Sequence, residues 1–191
     1  TPEIGEVVVE LMERTGLGDA EVYIQATRGA ARRNHLFPDV PGRLVIWARP
    51  PRATNPALWA EGCKAITLAD ERWARCDLKT ISLLPNVLAK QTAYERGAFE
   101  AVLVRDGWVT EGSASNLFLV FNGELVTALA DNRILPGITR AHLLQLAERL
   151  GIPVRERNVR EEELALADEL FFTSTSIEVL GVSELDGRAL G

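Results

Sequence analysis

Short apolar segments that favour β-strands recur along the chain, and helical patterns interrupt them at irregular intervals. Regular alternation of strand and helix is typical of a doubly wound parallel sheet, and this sequence does not have it. The pattern therefore predicts an α+β fold. The predicted strands are 20–27, 44–48, 64–69, 101–105, 116–120, 124–127 and 169–173, and the predicted helices are 4–14, 83–96, 139–150 and 161–167.

The segment 49–57 interrupts this pattern with three prolines in nine residues. Proline fixes φ and donates no backbone hydrogen bond, so such a composition favours a linker. With 191 residues, the chain is long enough for one large or two small domains. We therefore predict a smaller unit over 1–49, a linker over 50–57 and a larger unit over 58–191.

Composition argues against several classes of protein. The net charge is −6, whereas sequence-independent binding of nucleic acid requires a cationic face. No apolar run reaches the roughly 18 residues of a membrane helix, and no signal-peptide pattern is present. Cys63 and Cys76 match no zinc spacing and fit a reducing compartment, and His35 and His142 are far apart. We predict a cytoplasmic protein with no nucleic-acid partner, no membrane span and no metal.

Lys79 is one of only three lysines and lies in a mostly uncharged stretch that runs to Asn86. Lysine is rarely buried without a functional reason. In an apolar pocket its amine loses the charge more readily, which suits Schiff-base chemistry. From the local pattern alone, an ordinary lysine on a surface loop is the alternative.

Glu111 precedes Gly112, Ser113 and Asn116 in a segment between two predicted strands, after a predicted turn at Asp106-Gly107. The glycine permits a close approach of the backbone. The hydroxyl groups and the amide can bind a carboxylate or the loop itself. A carboxylate that faces a pocket can keep a ring nitrogen protonated, as a pyridoxal phosphate site requires. A turn with a solvated glutamate is the alternative.

Two further segments favour binding of a phosphate. Gly137, Ile138 and Thr139 begin a predicted helix, whose free N–H groups and positive dipole end attract anions. Ser174 and Thr175 follow a predicted buried strand and can add further donors. A plain helix start with Thr139 near the N-cap is the alternative. With the lysine and the glutamate, these segments supply the parts of a pyridoxal phosphate site.

The chain resembles the class IV (fold-type IV) pyridoxal-phosphate-dependent aminotransferases in a long, gapped pattern. The matching segments are Glu111-Gly112-Ser113-x-x-Asn116-Leu117-Phe118, Leu125-x-Thr127 and Leu135-x-Gly137-Ile138-x-Arg140. Lys79 stands where that family carries its Schiff-base lysine, and 173–175 stands where it has a phosphate-binding turn. The resemblance covers almost the whole chain. It implies the C-terminal part of a small α/β domain followed by a large mixed α/β cofactor domain.

Within the family, Arg33-Asn34-His35 is similar to a loop of the D-amino acid aminotransferases that receives the substrate carboxylate. A guanidinium can bind a carboxylate through two parallel hydrogen bonds. The resemblance therefore implies that Arg33 and His35 bind the substrate and help to set its stereochemistry. A solvated basic loop is the alternative for Arg32 and Arg33.

The resemblance implies transamination between a D-amino acid and a 2-oxo acid. Lys79 would hold pyridoxal phosphate as a Schiff base and move the proton from the substrate Cα, while Glu111 keeps the ring nitrogen protonated. The residues implied in phosphate binding are Ile138, Thr139, Ser174 and Thr175. In this family such loops commonly reach across an interface, so the resemblance also implies a homodimer.

Several related activities share these motifs. They are those of branched-chain L-amino acid aminotransferases, aminodeoxychorismate lyases and (R)-selective amine transaminases, and the loop with Arg33 and His35 favours the D-amino acid. An inactive cofactor-binding module is a further alternative. The family has an additional stretch of small domain before the point where this chain begins, with an arginine for the phosphate and an aromatic residue for the substrate, and a further C-terminal helix. We therefore expect either a fragment or a chain whose ends are missing from this sequence.

Overall fold

The computed structural model describes residues 2–53 and 55–190. The described residues divide into two compact units on either side of residue 54. This division lies inside the segment 50–57 that its prolines mark as a linker. Each unit has its own secondary structure and is described separately.

The first unit contains one helix and a two-stranded antiparallel sheet. These elements are α1 (Pro2–Thr15), β1 (Glu21–Thr27) and β2 (Arg43–Arg49). Tyr23 stacks on Trp47 across the two strands, with ring centroids 5.1 Å apart. The loop between the strands is closed at its base, because a Cβ on Gly29 would lie 2.3 Å from the carbonyl oxygen of Pro41.

The second unit contains three α-helices, one 3-10 helix and a sheet of ten strands. The helices are α2 (Pro56–Glu61), α3 (Leu84–Glu95) and α4 (Ile138–Leu150), and the 3-10 helix is Glu161–Ala165. The strands are β3 (Cys63–Ala69), β4 (Glu100–Arg105), β5 (Trp108–Gly112), β6 (Asn116–Phe121), β7 (Glu124–Thr127), β8 (Val154–Glu156), β9 (Val159–Arg160), β10 (Glu169–Ser174), β11 (Glu178–Leu185) and β12 (Arg188–Ala189). No helix in the described parts of the chain has the length and apolar character needed to cross a membrane.

The strands follow the order β8-β7-β6-β10-β11-β3-β4-β5-β9, and β12 pairs with β11. Most neighbours are antiparallel, whereas β3 runs parallel to β11 and β4, and β7 runs parallel to β8. The sheet is mixed, and the helices do not alternate regularly with the strands along the chain. Both features confirm the predicted α+β class.

Strands β6 and β10 carry the centre of the hydrophobic core. Leu117, Leu119, Leu170 and Phe172 on these strands are almost completely buried, and Leu180 of β11 packs in the same cluster. Each large apolar side chain buried in this way contributes about 1.5–3 kcal/mol. The core therefore fixes the strands whose ends carry the candidate site.

The structure differs from the sequence prediction around Glu111. Glu111 and Gly112 are not in a turn but in β5, which pairs with β4. The predicted turn at Asp106-Gly107 is confirmed, since both residues have positive φ and the chain re-enters the sheet at Trp108. Strand β5, which carries Glu111 and Gly112, was not predicted.

Other elements also depart from the predictions. Helix α2 lies partly in the predicted linker, because Asn55 caps it by accepting a hydrogen bond from the N–H of Ala57 at 3.2 Å. The predicted helix 161–167 is a shorter 3-10 helix. Strand β11 and the short strands β8, β9 and β12 were not predicted.

Candidate active site

Glu111 is a buried carboxylate with 4% of its surface exposed. It accepts hydrogen bonds from Asn116 Nδ2 at 2.8 Å, from the backbone N–H of Leu135 at 3.1 Å and from the guanidinium of Arg72. A buried charge is tolerated only when it is paired and hydrogen-bonded. These three donors supply that compensation, so the alternative of a solvated glutamate does not apply.

Arg72 lies between two acidic side chains. It donates to both carboxylate oxygens of Asp70 at 2.9 Å, in addition to its contact with Glu111, and to the carbonyl of Arg133 at 3.0 Å. Its side chain is 5% exposed and that of Asp70 is 0% exposed. Arg105 also pairs with Asp70, at 3.0 Å. We call Asp70, Arg72, Arg105 and Glu111 the buried ion cluster.

The two carboxyl groups of the buried ion cluster have opposite pKa shifts. Burial raises the pKa of Glu111 to about 7, and the Arg72 guanidinium and the N–H of Leu135 oppose this shift. Burial also acts to raise the pKa of Asp70, but hydrogen bonds and charge from Arg72 outweigh it and hold that pKa at about 2. Asp70 therefore stays ionised and paired with Arg72. Because the pKa of Glu111 is about 7, a positive charge placed near it would favour its ionised form.

The side chain of Asn116 contacts both the end of β5 and the segment at the start of α4. Its Nδ2 donates to the carbonyl of Leu135 at 2.8 Å as well as to Glu111. Its Oδ1 lies so close to Gly137 that a Cβ there would be 2.2 Å away. Only glycine fits at this position, and the contact holds the start of the helix against β6.

The N-terminus of α4 has the geometry of an anion site. Gly137 is the N-cap and has no side chain that could cap the helix, and Ala141 makes the first return bond, to the Gly137 carbonyl at 3.0 Å. The N–H groups of the first helical turn, which include those of Ile138 and Thr139, have no intrahelical acceptor. Such N–H groups favour a phosphate or carboxylate.

Ser174 and Thr175 follow the same end of the sheet. Thr173 pairs with Asn116 across β10 and β6, and Ser174, the last residue of β10, pairs with Glu178 of β11. The hydroxyl segment therefore lies at the end of the sheet where Asn116 contacts the start of α4. The Thr173 hydroxyl is buried without a hydrogen-bond partner among the described residues. Ser174 Oγ lies 3.3 Å from Ser176 Oγ in the turn that follows. The structure therefore brings Glu111, the α4 start and the hydroxyl segment to one edge.

Lys79 lies in the segment 70–83 between β3 and α3, and its side chain is exposed. Two hydrogen bonds attach this segment to the chain before α4: Cys76 N–H donates to the Asn132 carbonyl at 2.9 Å, and Asn132 Nδ2 donates to the Ala74 carbonyl at 2.8 Å. Within the described residues no hydrogen bond joins Lys79 to Glu111. The segment that carries Lys79 is therefore attached near the start of α4 through the hydrogen bonds of its backbone, not through the Lys79 amine.

Arg33 and His35 lie in the first unit, in the loop between β1 and β2, and both are exposed. The N–H of His35 donates to Asn34 Oδ1 at 2.7 Å. The Arg28 guanidinium lies 3.6 Å from the centroid of the Phe37 ring. These contacts give the loop internal order while its basic side chains face outward.

Sequence reasoning missed Arg72 and Asp70. A signal was present, since Asp70 follows a predicted strand directly and Arg72 stands seven residues before Lys79. The contact partner Glu111 is 39 residues from Arg72, however, and a single sequence does not show which distant charges meet.

Comparison with known proteins places this site in a family. The model of "Amino-transferase class IV" matches residues 1–185. The chain is 43% identical over 190 residues to D-alanine aminotransferase of Listeria monocytogenes, covering 97% of this chain and 65% of that protein. It is 40% identical over 194 residues to D-alanine aminotransferase of Bacillus licheniformis, covering 99% and 67%.

Solved structures agree with these sequence relatives. The branched-chain amino acid aminotransferase of Escherichia coli has a TM-score of 0.88 at 28% identity, covering all of this chain and 65% of that chain. A second branched-chain amino acid aminotransferase, from T.th. and with pyridoxamine 5'-phosphate, also has a TM-score of 0.88, at 31% identity, and covers 100% of this chain and 65% of that one. The chain thus spans 65% of the length of the Listeria relative. On sequence and fold, the chain belongs to the class IV, fold-type IV aminotransferases.

Proposed function

We propose that the protein transfers the amino group of a D-amino acid to a 2-oxo acid with pyridoxal phosphate as cofactor. The observation that carries this proposal is the buried Glu111 carboxylate, which Arg72 and Asn116 orient beside the open N-terminus of α4. The D-alanine aminotransferases of Listeria monocytogenes and Bacillus licheniformis support a D-amino acid as substrate.

Pyridoxal phosphate fits the chemistry of these residues. Its ring nitrogen needs a carboxylate, its phosphate needs N–H and hydroxyl donors, and its aldehyde needs an amine. The pyridoxamine 5'-phosphate in the T.th. relative supports this fit. When bound, the cofactor supplies an electron-accepting ring that stabilises negative charge at the substrate Cα.

Glu111 would hold the proton on the ring nitrogen. A carboxylate stabilises that proton only when it is ionised, and burial, opposed by Arg72 and the N–H of Leu135, leaves its pKa at about 7 in the cofactor-free protein. A positive charge that faces the carboxylate favours the ionised form. Arg72 supplies one such charge, and the protonated ring nitrogen supplies the second.

The phosphate would lie at the start of α4. The N–H groups of Ile138 and Thr139 would donate to it, with Ser174 and Thr175 adding hydroxyl and backbone donors from the neighbouring segment. The helix dipole favours a phosphate at this end by about 0.3–1 kcal/mol, and more where the site is partly buried.

Lys79 would be the covalent anchor of the cofactor through Nζ. When its amine is free, Lys79 Nζ would also remove the proton at the substrate Cα as a general base. The Lys79 side chain is exposed and not in an apolar pocket, and its amine makes no ion pair among the described residues, so the amine is available for both roles.

Arg33 and His35 would bind the substrate carboxylate. A guanidinium offers two parallel donors to a carboxylate, and a fixed carboxylate limits which face of the Cα meets the base. Replacing Arg33 with Ala should raise KM for D-alanine roughly 10-fold or more, with a smaller effect on kcat. Arg32→Ala, one residue away in the same loop, is the matched control and should change KM little.

The stereochemical proposal is tested by the first half of the reaction. The protein loaded with pyridoxal phosphate is mixed with D-alanine or, separately, with L-leucine, and the visible absorbance of the cofactor is followed. Loss of the band with D-alanine alone supports the proposal. Loss with L-leucine alone would indicate a branched-chain aminotransferase instead, and no change with either would contradict transamination of both substrates.

We also infer that the protein is a homodimer with α3 in the interface. The helix presents four exposed apolar side chains, Leu84, Val87, Leu88 and Tyr94, and Ile81 just before it is 70% exposed. Contiguous exposed apolar patches mark interaction surfaces. A second copy is the proposed occupant, because the family resemblance implies a homodimer.

We infer a cytoplasmic location from the two cysteines. Cys63 and Cys76 are both buried free thiols. Free thiols persist in reducing compartments. Cell fractionation followed by immunodetection would test this location, and recovery outside the cytoplasm would contradict it.

A further inference from the structure

Glu100 is a buried carboxylate outside the machinery described above. It begins β4 and is 2% exposed. Its Oε1 accepts from the N–H of Ser113 at 3.2 Å, from the Ser113 hydroxyl and from the N–H of Ala101 at 2.9 Å. Its Oε2 accepts from Ser115 Oγ at 3.2 Å and lies 3.4 Å from the ammonium group of Lys90.

The donors to Glu100 belong to the turn 113–115, which connects β5 with β6. The turn is tight: the N–H of Gly112 donates to the Ser115 carbonyl at 2.7 Å, and a Cβ on Gly112 would lie 2.2 Å from Ser115 Oγ. Asn86 of α3 donates to the Ser113 carbonyl at 2.8 Å from outside. Glu100 therefore binds the turn through the hydroxyl groups of Ser113 and Ser115 and through the N–H of Ser113.

The same turn sets the distance between Glu111 and Asn116. These two residues flank it, and their side chains meet at 2.8 Å across it. Any change in the turn moves Asn116 relative to Glu111 and weakens the hydrogen bond that orients the carboxylate. Because Oε1 of Glu100 accepts three hydrogen bonds, its loss leaves several buried donors without partners.

We propose that Glu100 is a positioning residue that aims Glu111 at the cofactor ring nitrogen by holding the turn 113–115. This inference rests on the proposed function. The Lys90 ammonium group lies 3.4 Å from Glu100 Oε2 on the partly exposed side. The contacts of Glu100 are to Ala101, to the turn and to Lys90, so it acts through the geometry of Glu111 and Asn116.

The test replaces Glu100 and measures binding of pyridoxal phosphate by absorbance titration of the whole protein. Glu100→Leu should weaken binding roughly 10- to 100-fold, because buried donors in the turn lose a charged acceptor. Glu100→Gln keeps one acceptor oxygen and should fall between the Leu variant and the unchanged protein. Asp168→Asn is the control: Asp168 accepts the N–H of Asn122 at 2.6 Å in the β6–β7 turn, at the opposite end of β6.

A second readout separates positioning from general destabilisation. Nitrogen-15 NMR of protein loaded with ring-labelled pyridoxal phosphate reports protonation of the ring nitrogen. With Glu111 misaligned, the ring nitrogen should lose its proton at a lower pH in the Glu100 variants and not in Asp168→Asn. If Glu100→Leu does not fold, the affinity and ring protonation of Glu100→Gln decide whether Glu100 has the positioning role.

The outcomes distinguish this inference from the proposed function. If the unchanged protein binds no pyridoxal phosphate, both are overturned. If the unchanged protein binds it and the Glu100 variants match Asp168→Asn in affinity and in ring protonation, the role of Glu100 alone is overturned. Weaker binding together with the NMR shift supports it.

Discussion

The guanidinium of Arg72 binds both Glu111 and Asp70. The geometry of the site therefore depends strongly on Arg72. Removal of one partner from a buried ion pair leaves an uncompensated charge and costs about 3–5 kcal/mol. Without Arg72, Glu111 would take up a proton and lose the charge that the ring nitrogen needs.

Arg72→Gln should therefore lower the free energy of unfolding by about 3–5 kcal/mol in urea denaturation and weaken binding of pyridoxal phosphate. Arg75→Gln is the matched control, because Arg75 pairs with Asp77 at 2.8 Å in an exposed position. Its effect should stay within about 1 kcal/mol. Equal effects of the two variants would show that Arg72 has no special role.

The raised pKa of Glu111 predicts a dependence of stability on pH. In the cofactor-free protein this pKa is about 7, against an ordinary value of 4.5, so the native state binds more protons than the unfolded state between these values. The free energy of unfolding should therefore fall as pH rises through this range, by about 3 kcal/mol at most.

Urea denaturation at about pH 5 and about pH 8, repeated with Glu111→Gln, measures this dependence. The Gln variant cannot ionise, so the difference between the two proteins isolates the Glu111 contribution. A difference that does not change with pH would contradict the raised pKa.

Single residues that can bind the cofactor were easier to predict from the sequence than the buried residues that orient them. The amide of Asn116 was expected to bind a carboxylate or the loop, and it binds both the Glu111 carboxylate and the Leu135 carbonyl. Arg72 and Glu100 were missed because their partners are distant in sequence: Glu111 is 39 residues from Arg72, and Ser113 is 13 residues from Glu100. The roles of Lys79 and the substrate loop remain predictions.

At the scale of elements, the start of α4 and strand β6 are fitted to each other through Gly137. Its φ of −64° suits any residue, so the requirement for glycine is the space beside Asn116 alone. Asn116 can move only by giving up its hydrogen bonds to Glu111 and Leu135, since it is 5% exposed.

Gly137→Ala should therefore lower the free energy of unfolding by about 1–3 kcal/mol and weaken cofactor binding. Gly181→Ala is the control, because nothing lies within 4 Å of a Cβ at that position. It should change stability by no more than about 0.5 kcal/mol in the same denaturation assay. A Gly137 variant as stable as the control would refute the close fit.

Elements with strong periodicity were predicted well, and short ones were not. Helices α1, α3 and α4 begin and end within two residues of the prediction. Strand β11 was missed because Gly181 and Ser183 interrupt its apolar pattern. The turn from β11 to β12 could have been predicted from the sequence Asp186-Gly187, because Asp-Gly favours hairpin turns. Both residues have positive φ, as do Asp106 and Gly107.

At the scale of the whole molecule, the exposed face of α3 predicts how copies of the chain associate. Leu84 and Leu88 are one helical turn apart and are 68% and 53% exposed. Replacing both with Glu should convert the dimer into a monomer in sedimentation equilibrium, because burying two carboxylates in an apolar interface is unfavourable. Leu150→Glu, at an equally exposed leucine on α4, should leave the dimer intact.

A monomeric unchanged protein would contradict the proposed dimer, and so would a dimer that survives the double replacement. A monomer formed by Leu150→Glu as well would show that the interface is not confined to α3. These outcomes are independent of the cofactor chemistry.

Lys79 is proposed to hold pyridoxal phosphate in the site built around Glu111. Reduction of the loaded protein with borohydride, followed by digestion and mass spectrometry, identifies the modified lysine. The chain has only Lys64, Lys79 and Lys90 as candidates. We expect the label on Lys79 alone; a label on Lys64 or Lys90, or none, would disprove this assignment.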